Sequence, residues 1–182
     1  MRKTIIISII LGLLVLGYIV FPKSTPTPDS SPVTPLVQVK TYPVPDEVLK
    51  VSTQLGLDQS IVPRIQYTIG STGPCQGEGY WACYQSGHIW LKEVRPQYLA
   101  HEYLHYIWSN YPESNKVTLL LQEIYNNSPA LQKRLQFYRP NEIQGELFPI
   151  ICTEVADWKL QPELLAECTK WIPNRGLLPS YY

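Results

Sequence analysis

The chain has 182 residues, 15 basic and 15 acidic side chains that cancel to zero formal charge, 45% hydrophobic residues and 12% aromatic ones. Zero net charge without a Lys/Arg run argues against a nucleic-acid binder. The apolar content excludes disorder along the whole chain, and the length allows one ordinary domain with a tail.

Residues 4–21 form an 18-residue stretch without a charge, preceded by Arg2 and Lys3 and followed by Pro22 and Lys23. As a helix it would span roughly 27 Å, close to a bilayer core of about 30 Å. Ile19-Val20-Phe21-Pro22-Lys23 offers no small-x-small cleavage site, so residues 1–21 are expected to be an uncleaved signal anchor. The positive flank places the N-terminus in the cytoplasm. The remainder would be the extracytoplasmic part of a single-pass membrane protein, at a cell surface or in a periplasm. Seven of the 17 prolines fall in residues 22–45. Such a segment tends to extended polyproline II and is expected to be a semi-rigid tether, which leaves residues 46–182 as the folded domain.

Within that domain Asp46 and Glu47 open a helical pattern with Val48, Val51 and Leu55, and Gly56 can close it. Residues 64–69 alternate with Ile65, Tyr67 and Ile69 on one side, a strand signal. A loop with Gly70, Gly73, Gly77 and Gly79 follows. Residues 80–84 and 88–91 then flank Gln85-Ser86-Gly87 as arms of a β-hairpin. From Pro96 onward helix dominates, over residues 96–110, 116–125, 128–138, 142–155 and 162–172, with Pro149 expected to kink or restart the fourth. The class is α+β: a small antiparallel strand region followed by a mostly helical region.

The chemistry lies on the helix after Pro96, where His101-Glu102-Tyr103-Leu104-His105 reads H-E-x-x-H. Residues four apart on a helix are about 40° apart around its axis, so both imidazoles can reach one cation. Zinc suits neutral imidazole, needs one more protein ligand, and leaves a position for water. Glu102 would take the proton of that water. Ala100, Leu104, Ile107 and Tyr111 form a separate stripe that can face the core. Shuffling this composition gives an expected count for the motif of about 0.002, so chance is a poor explanation.

The segment resembles the active-site helix of zincin metallopeptidases, and more loosely the resemblance extends to His88-Ile89-Trp90-Leu91 before it. It implies that His101 and His105 are zinc ligands, Glu102 is the general base, and the strand at residues 88–91 lines the substrate cleft. The metzincin continuation is absent, because Trp108 and Tyr111 stand where that subclass has Gly and His. A gluzincin-like arrangement takes its third ligand, a Glu, from a later helix, where Glu142, Glu146 and Glu154 are candidates. Glu146 is favoured, because an acid among Leu147, Phe148, Ile150 and Ile151 needs a partner to be tolerated. Glu154 has a similar setting and is expected as a partner of a histidine or an alternative ligand. Glu142 reads as a solvated residue near the helix start. Ile150 stands where the gluzincins carry a supporting Asp, and the third histidine, His88, reads as a core or rim residue.

Four cysteines permit three pairings, of which the local one, Cys75 with Cys83 and Cys152 with Cys168, is the simplest. Disulfides fit the outward orientation inferred from the anchor. The five tryptophans are expected as core anchors. Tyr80, Tyr84 and Trp90 could line a cleft for an extended peptide, and Tyr103 or Tyr138 could donate to an oxyanion. The expectation is a membrane-anchored, extracytoplasmic zinc metallopeptidase. Its alternative is a non-catalytic zincin-like module that binds a partner at the surface.

Overall fold

Acidic residues in a first turn complement the helix dipole. In the computed structural model Asp46 and Glu47 open helix α1 (Asp46–Leu55), which buries Val48 and Leu55 and stops at Gly56 with φ 72°. The structure describes residues 39–75, 80–111, 115–154 and 160–179. The expected signal anchor and most of the tether lie outside the described residues, among which no helix is long and apolar enough to cross a membrane. Residues 39–45 lie against the domain: the Tyr42 N–H donates to the Pro63 carbonyl at 2.7 Å, and Val44 packs on the core.

After a 3-10 turn (Val62–Arg64), the strand signal becomes β1 (Gln66–Ile69). The hairpin is β2 (Ala82–Gln85) and β3 (His88–Leu91), joined by Ser86 and Gly87 at φ 50° and 82°. Positive φ at both central residues makes a two-residue turn whose twist matches the strands. The strand region is not wholly antiparallel as expected. The order is β1-β3-β2, with β2 antiparallel and β1 parallel to β3. β3 takes the centre because its alternate residues Ile89 and Leu91 are both fully buried, and a parallel neighbour follows once the chain passes over the sheet to reach the far edge. Trp90 points to the other face, where Gly73, at φ 57°, packs flat on the indole.

Five further helices complete the α+β fold of the described residues: α2 (Pro96–Asn110), α3 (Asn115–Asn127), α4 (Pro129–Leu135), α5 (Pro140–Thr153) and α6 (Pro162–Trp171). Pro stands in the first turn of α2, α4, α5 and α6, where its missing N–H costs nothing. Pro149 does not restart α5, which runs through it. The carbonyl that the proline ring would crowd belongs to Gly145, four residues earlier, whose backbone can adjust without a side chain to restrict it. Leu99, Ala100, Tyr103, Leu104 and Ile107 of α2 are wholly buried, as are Phe148, Ile150 and Ile151 of α5, and Trp108 meets Phe148 at 5.4 Å between ring centroids.

Both local disulfides are present. Cys75–Cys83 ties the loop after β1 to β2, and Cys152–Cys168 ties the end of α5 to α6. The tryptophans differ from expectation, since none of the four described is fully buried. Trp108 and Trp171 pack at the core's edge, Trp90 lies on the outer sheet face, and Trp81 is 40% exposed. Trp158 lies outside the described residues.

A Cβ at Gly73 would run into the Trp90 indole, whereas one at Gly70, also at positive φ (85°), would meet open space. Gly73→Ala should therefore lower stability by about 2–4 kcal/mol and Gly70→Ala by about 1–2 kcal/mol, read as the difference in urea midpoints.

Candidate metal centre

Helix α2 carries His101 and His105 one turn apart, and α5 lays Glu146 across from them. His101 Nε2 and His105 Nε2 are 3.2 Å apart. Glu146 Oε2 is 3.3 Å from His101 Nε2, and Oε1 is 3.4 Å from His105 Nε2. This group could hold a metal ion. Glu146 Oε2 is buried and makes no hydrogen bond, although His101 Nε2 stands close by: the atoms converge without a well-directed N–H between them. Two imidazole nitrogens and a carboxylate are all lone-pair donors, so their convergence calls for a cation or protons. Ligands at 2.0–2.1 Å around a tetrahedral ion stand about 3.3–3.4 Å apart, and around an octahedral ion about 2.8–3.0 Å. Two of the three separations equal the tetrahedral edge, and the third, 3.2 Å between the imidazole nitrogens, lies nearer to it than to the octahedral one.

Charge and burial shape the group in the metal-free chain. Burial alone would lower His101, but the close approach of Glu146 and the charges of Glu102, Glu146 and Glu154 outweigh it and raise the imidazole above its ordinary value. Burial opposes ionisation of Glu146, yet its contacts with His101 and His105 hold it down to about 2. Glu102 moves the opposite way. Only 7% exposed, it is raised by burial, against the pull of both histidines and a hydrogen bond from the Tyr84 main-chain N–H.

These groups line a cleft of about 370 Å³ whose other wall is β2 with the residues before it. The Lys92 N–H donates to the Trp81 carbonyl at 2.9 Å. Since bonded and non-bonded pairs alternate along an antiparallel ladder, the main-chain groups of Ala82 and Tyr84 point off the open edge of β2. The cleft-lining strand is thus β2, not the His88–Leu91 strand that the resemblance suggested, because β3 is enclosed between its neighbours. Tyr80 and Tyr84 line the cleft; Trp90 does not. Trp81 does, stacked on Tyr98 at 6.0 Å, a role that the sequence reading missed because its flanks look like any hairpin arm.

The remaining candidates separate clearly. Glu154 reaches the cleft wall, but its Oε1 is bound by Arg134 Nε and Nη2, each at 3.1 Å, and it acts on His101 through charge alone. Glu142 accepts the Arg139 N–H at 3.0 Å and so caps α5. His88 Nε2 meets Thr68 Oγ1 at 2.9 Å and stacks on Trp90 at 3.8 Å, apart from the cluster. Tyr103 is wholly buried beside Asp58 and Tyr67. Tyr138 lines the cleft, where burial and the charge of Glu146 push its phenol up to about 12. No family model, no curated protein and no solved structure matches the chain.

The two shifted groups stabilise the metal-free fold over different pH ranges. His101, raised in the fold, contributes fully below 6.5, and the contribution is lost as pH rises through the raised value. Glu146, lowered in the fold, contributes above 4.5, and the contribution is lost as pH falls towards 2. Both act between those ordinary values. In thermal melts with a chelator, Glu146→Gln should lower Tm most at about pH 5.5, and by less at about pH 2 and about pH 9.

Proposed function

We propose that the chain is a zinc-dependent metallopeptidase of the zincin type that hydrolyses peptide bonds. The observation that carries the reading is the convergence of His101, His105 and Glu146 beside a buried Glu102 in an open cleft. The nitrogen-rich donor set favours zinc over magnesium or calcium, and the spacing is wider than a magnesium octahedron would set. When bound, zinc would supply Lewis acidity at a carbonyl and a lowered pKa for a water molecule.

The chain's own residues supply the rest. Glu102, raised by burial, is a stronger base than an exposed carboxylate. It takes the proton from the attacking water and passes it to the leaving amine. Tyr138, protonated at neutral pH, donates a hydrogen bond to the oxygen on which negative charge develops. The open edge of β2 at Ala82 and Tyr84 holds an extended peptide as an added strand, with Tyr80 and Trp81 beside its side chains. The anchor at residues 1–21 and the outward placement of the domain belong to the same proposal. The uncharged 18-residue run and the two disulfides support them, since disulfides persist in oxidising compartments.

The test is zinc content and peptide cleavage by the full chain. One zinc per chain is expected. Glu102→Gln should keep the zinc and lose about 10²–10⁴ in kcat. Tyr138→Phe should lose about 10²–10³ in kcat with KM little changed. Unaltered cleavage by Glu102→Gln removes that residue from the mechanism, and absence of stoichiometric zinc removes the whole reading.

A further inference from the structure

A histidine that ligates a metal through Nε2 is ordinarily held by a hydrogen bond from its Nδ1–H to a carboxylate or carbonyl. His105 has no such bond among the described residues; its polar contacts run through Nε2, to His101 Nε2 and Glu146 Oε1. Something else must fix the plane of its ring. Tyr84 lies parallel to it, with planes 3° apart and centroids 6.2 Å apart, an offset stack. Tyr84 is itself held edge-on by Tyr106 at 6.3 Å and 90°. Its backbone is fixed in β2 opposite Ile89, directly after Cys83, which is bonded to Cys75.

We propose that Tyr84 is a positioning residue of the metal centre: its ring, stacked on the His105 imidazole, sets that ligand's orientation in place of the usual Nδ1 hydrogen bond. The inference rests on the metal reading of His101, His105 and Glu146. Its consequence is that strand β2, the wall of the cleft, is also a support of the metal site, so the same residue that borders the substrate path determines how well the ion is held. The Cys75–Cys83 bridge then serves the centre at one remove, by keeping the strand in register beneath the ring. What matters is the flat aromatic face; the phenolic hydroxyl is dispensable.

The test uses the full chain with Co²⁺ alone as the probe. Affinity comes from competition with a chelator and ligand geometry from the visible bands, for wild type, Tyr84→Phe and Tyr84→Val. Tyr84→Phe should match wild type within about twofold, while Tyr84→Val, folded by far-ultraviolet circular dichroism, should bind about 10- to 100-fold more weakly with altered bands. Wild-type affinity and bands in Tyr84→Val overturn the inference. So does an equal loss in Tyr84→Phe, which would assign the effect to the hydroxyl. A wild type that takes up no Co²⁺ overturns the metal reading itself, and this inference with it. If Tyr84→Val does not fold, proton NMR of the metal-free wild type decides. A ring-current displacement of the His105 imidazole protons, kept in Tyr84→Phe, supports the stack, and undisplaced imidazole signals overturn it.

Discussion

Two imidazoles one turn apart on a helix can share a ligand with a second helix only if the two helices are pressed together with those residues at the edge of the contact. That packing of α2 on α5 is what the candidate site depends on. Where they meet, Trp108 of α2 packs on Phe148 of α5, and both helices carry wholly buried side chains, Leu104 and Ile107 on one and Ile150 and Ile151 on the other. Each large side chain fully buried stabilises by about 1.5–3 kcal/mol. Against this stands the cost of taking the Glu102 and Glu146 carboxylates out of water, several kcal/mol for each ion. The apolar interface makes such a polar cluster tolerable, and the Cys152–Cys168 bridge fixes the end of α5 that carries Glu146's neighbours.

Within the cleft the same low-polarity surroundings push two carboxylates in opposite directions. Glu146 faces two imidazoles and is held low, while Glu102 is dominated by its burial and is raised. Environments that separate like groups in this way suit them to different roles, in the proposed function those of ligand and base. Glu154, which could have been a third actor, is taken up by Arg134. The strand wall completes the arrangement: β2 turns its open edge to the cleft, where the Tyr84 N–H meets Glu102, its Tyr84 ring lies parallel to the His105 imidazole, and Cys83 ties it to the loop after β1.

Much of this was legible in the sequence where the signal is local. The H-E-x-x-H spacing needs only helical periodicity to bring His101 and His105 together. Glu146 stood out as an acid in an apolar run, and near neighbours in the chain are the easiest cysteines to bridge. Illegible features depend on contacts between distant segments. Parallel pairing of β1 with β3, and hence which strand borders the cleft, follows from the path of the chain over the sheet rather than from any alternation. Pro149 read as a break because the tolerance of Gly145 becomes decisive only inside a packed helix. Tyr103 and Tyr138 are equivalent on paper; the fold buries one beside Asp58 and brings the other to Glu146. Trp81 read as a core residue, yet it stands at the cleft, where Tyr98 and the cations of Lys92 and Arg95 surround its ring.

The central claim is that His101, His105 and Glu146 hold one tetrahedral ion with a position left open in the cleft. X-ray absorption at the zinc edge of the zinc-loaded full chain measures this directly. The account predicts four light-atom donors at about 2.0–2.1 Å, two of them imidazoles. A six-oxygen environment, or an imidazole count other than two, would contradict it.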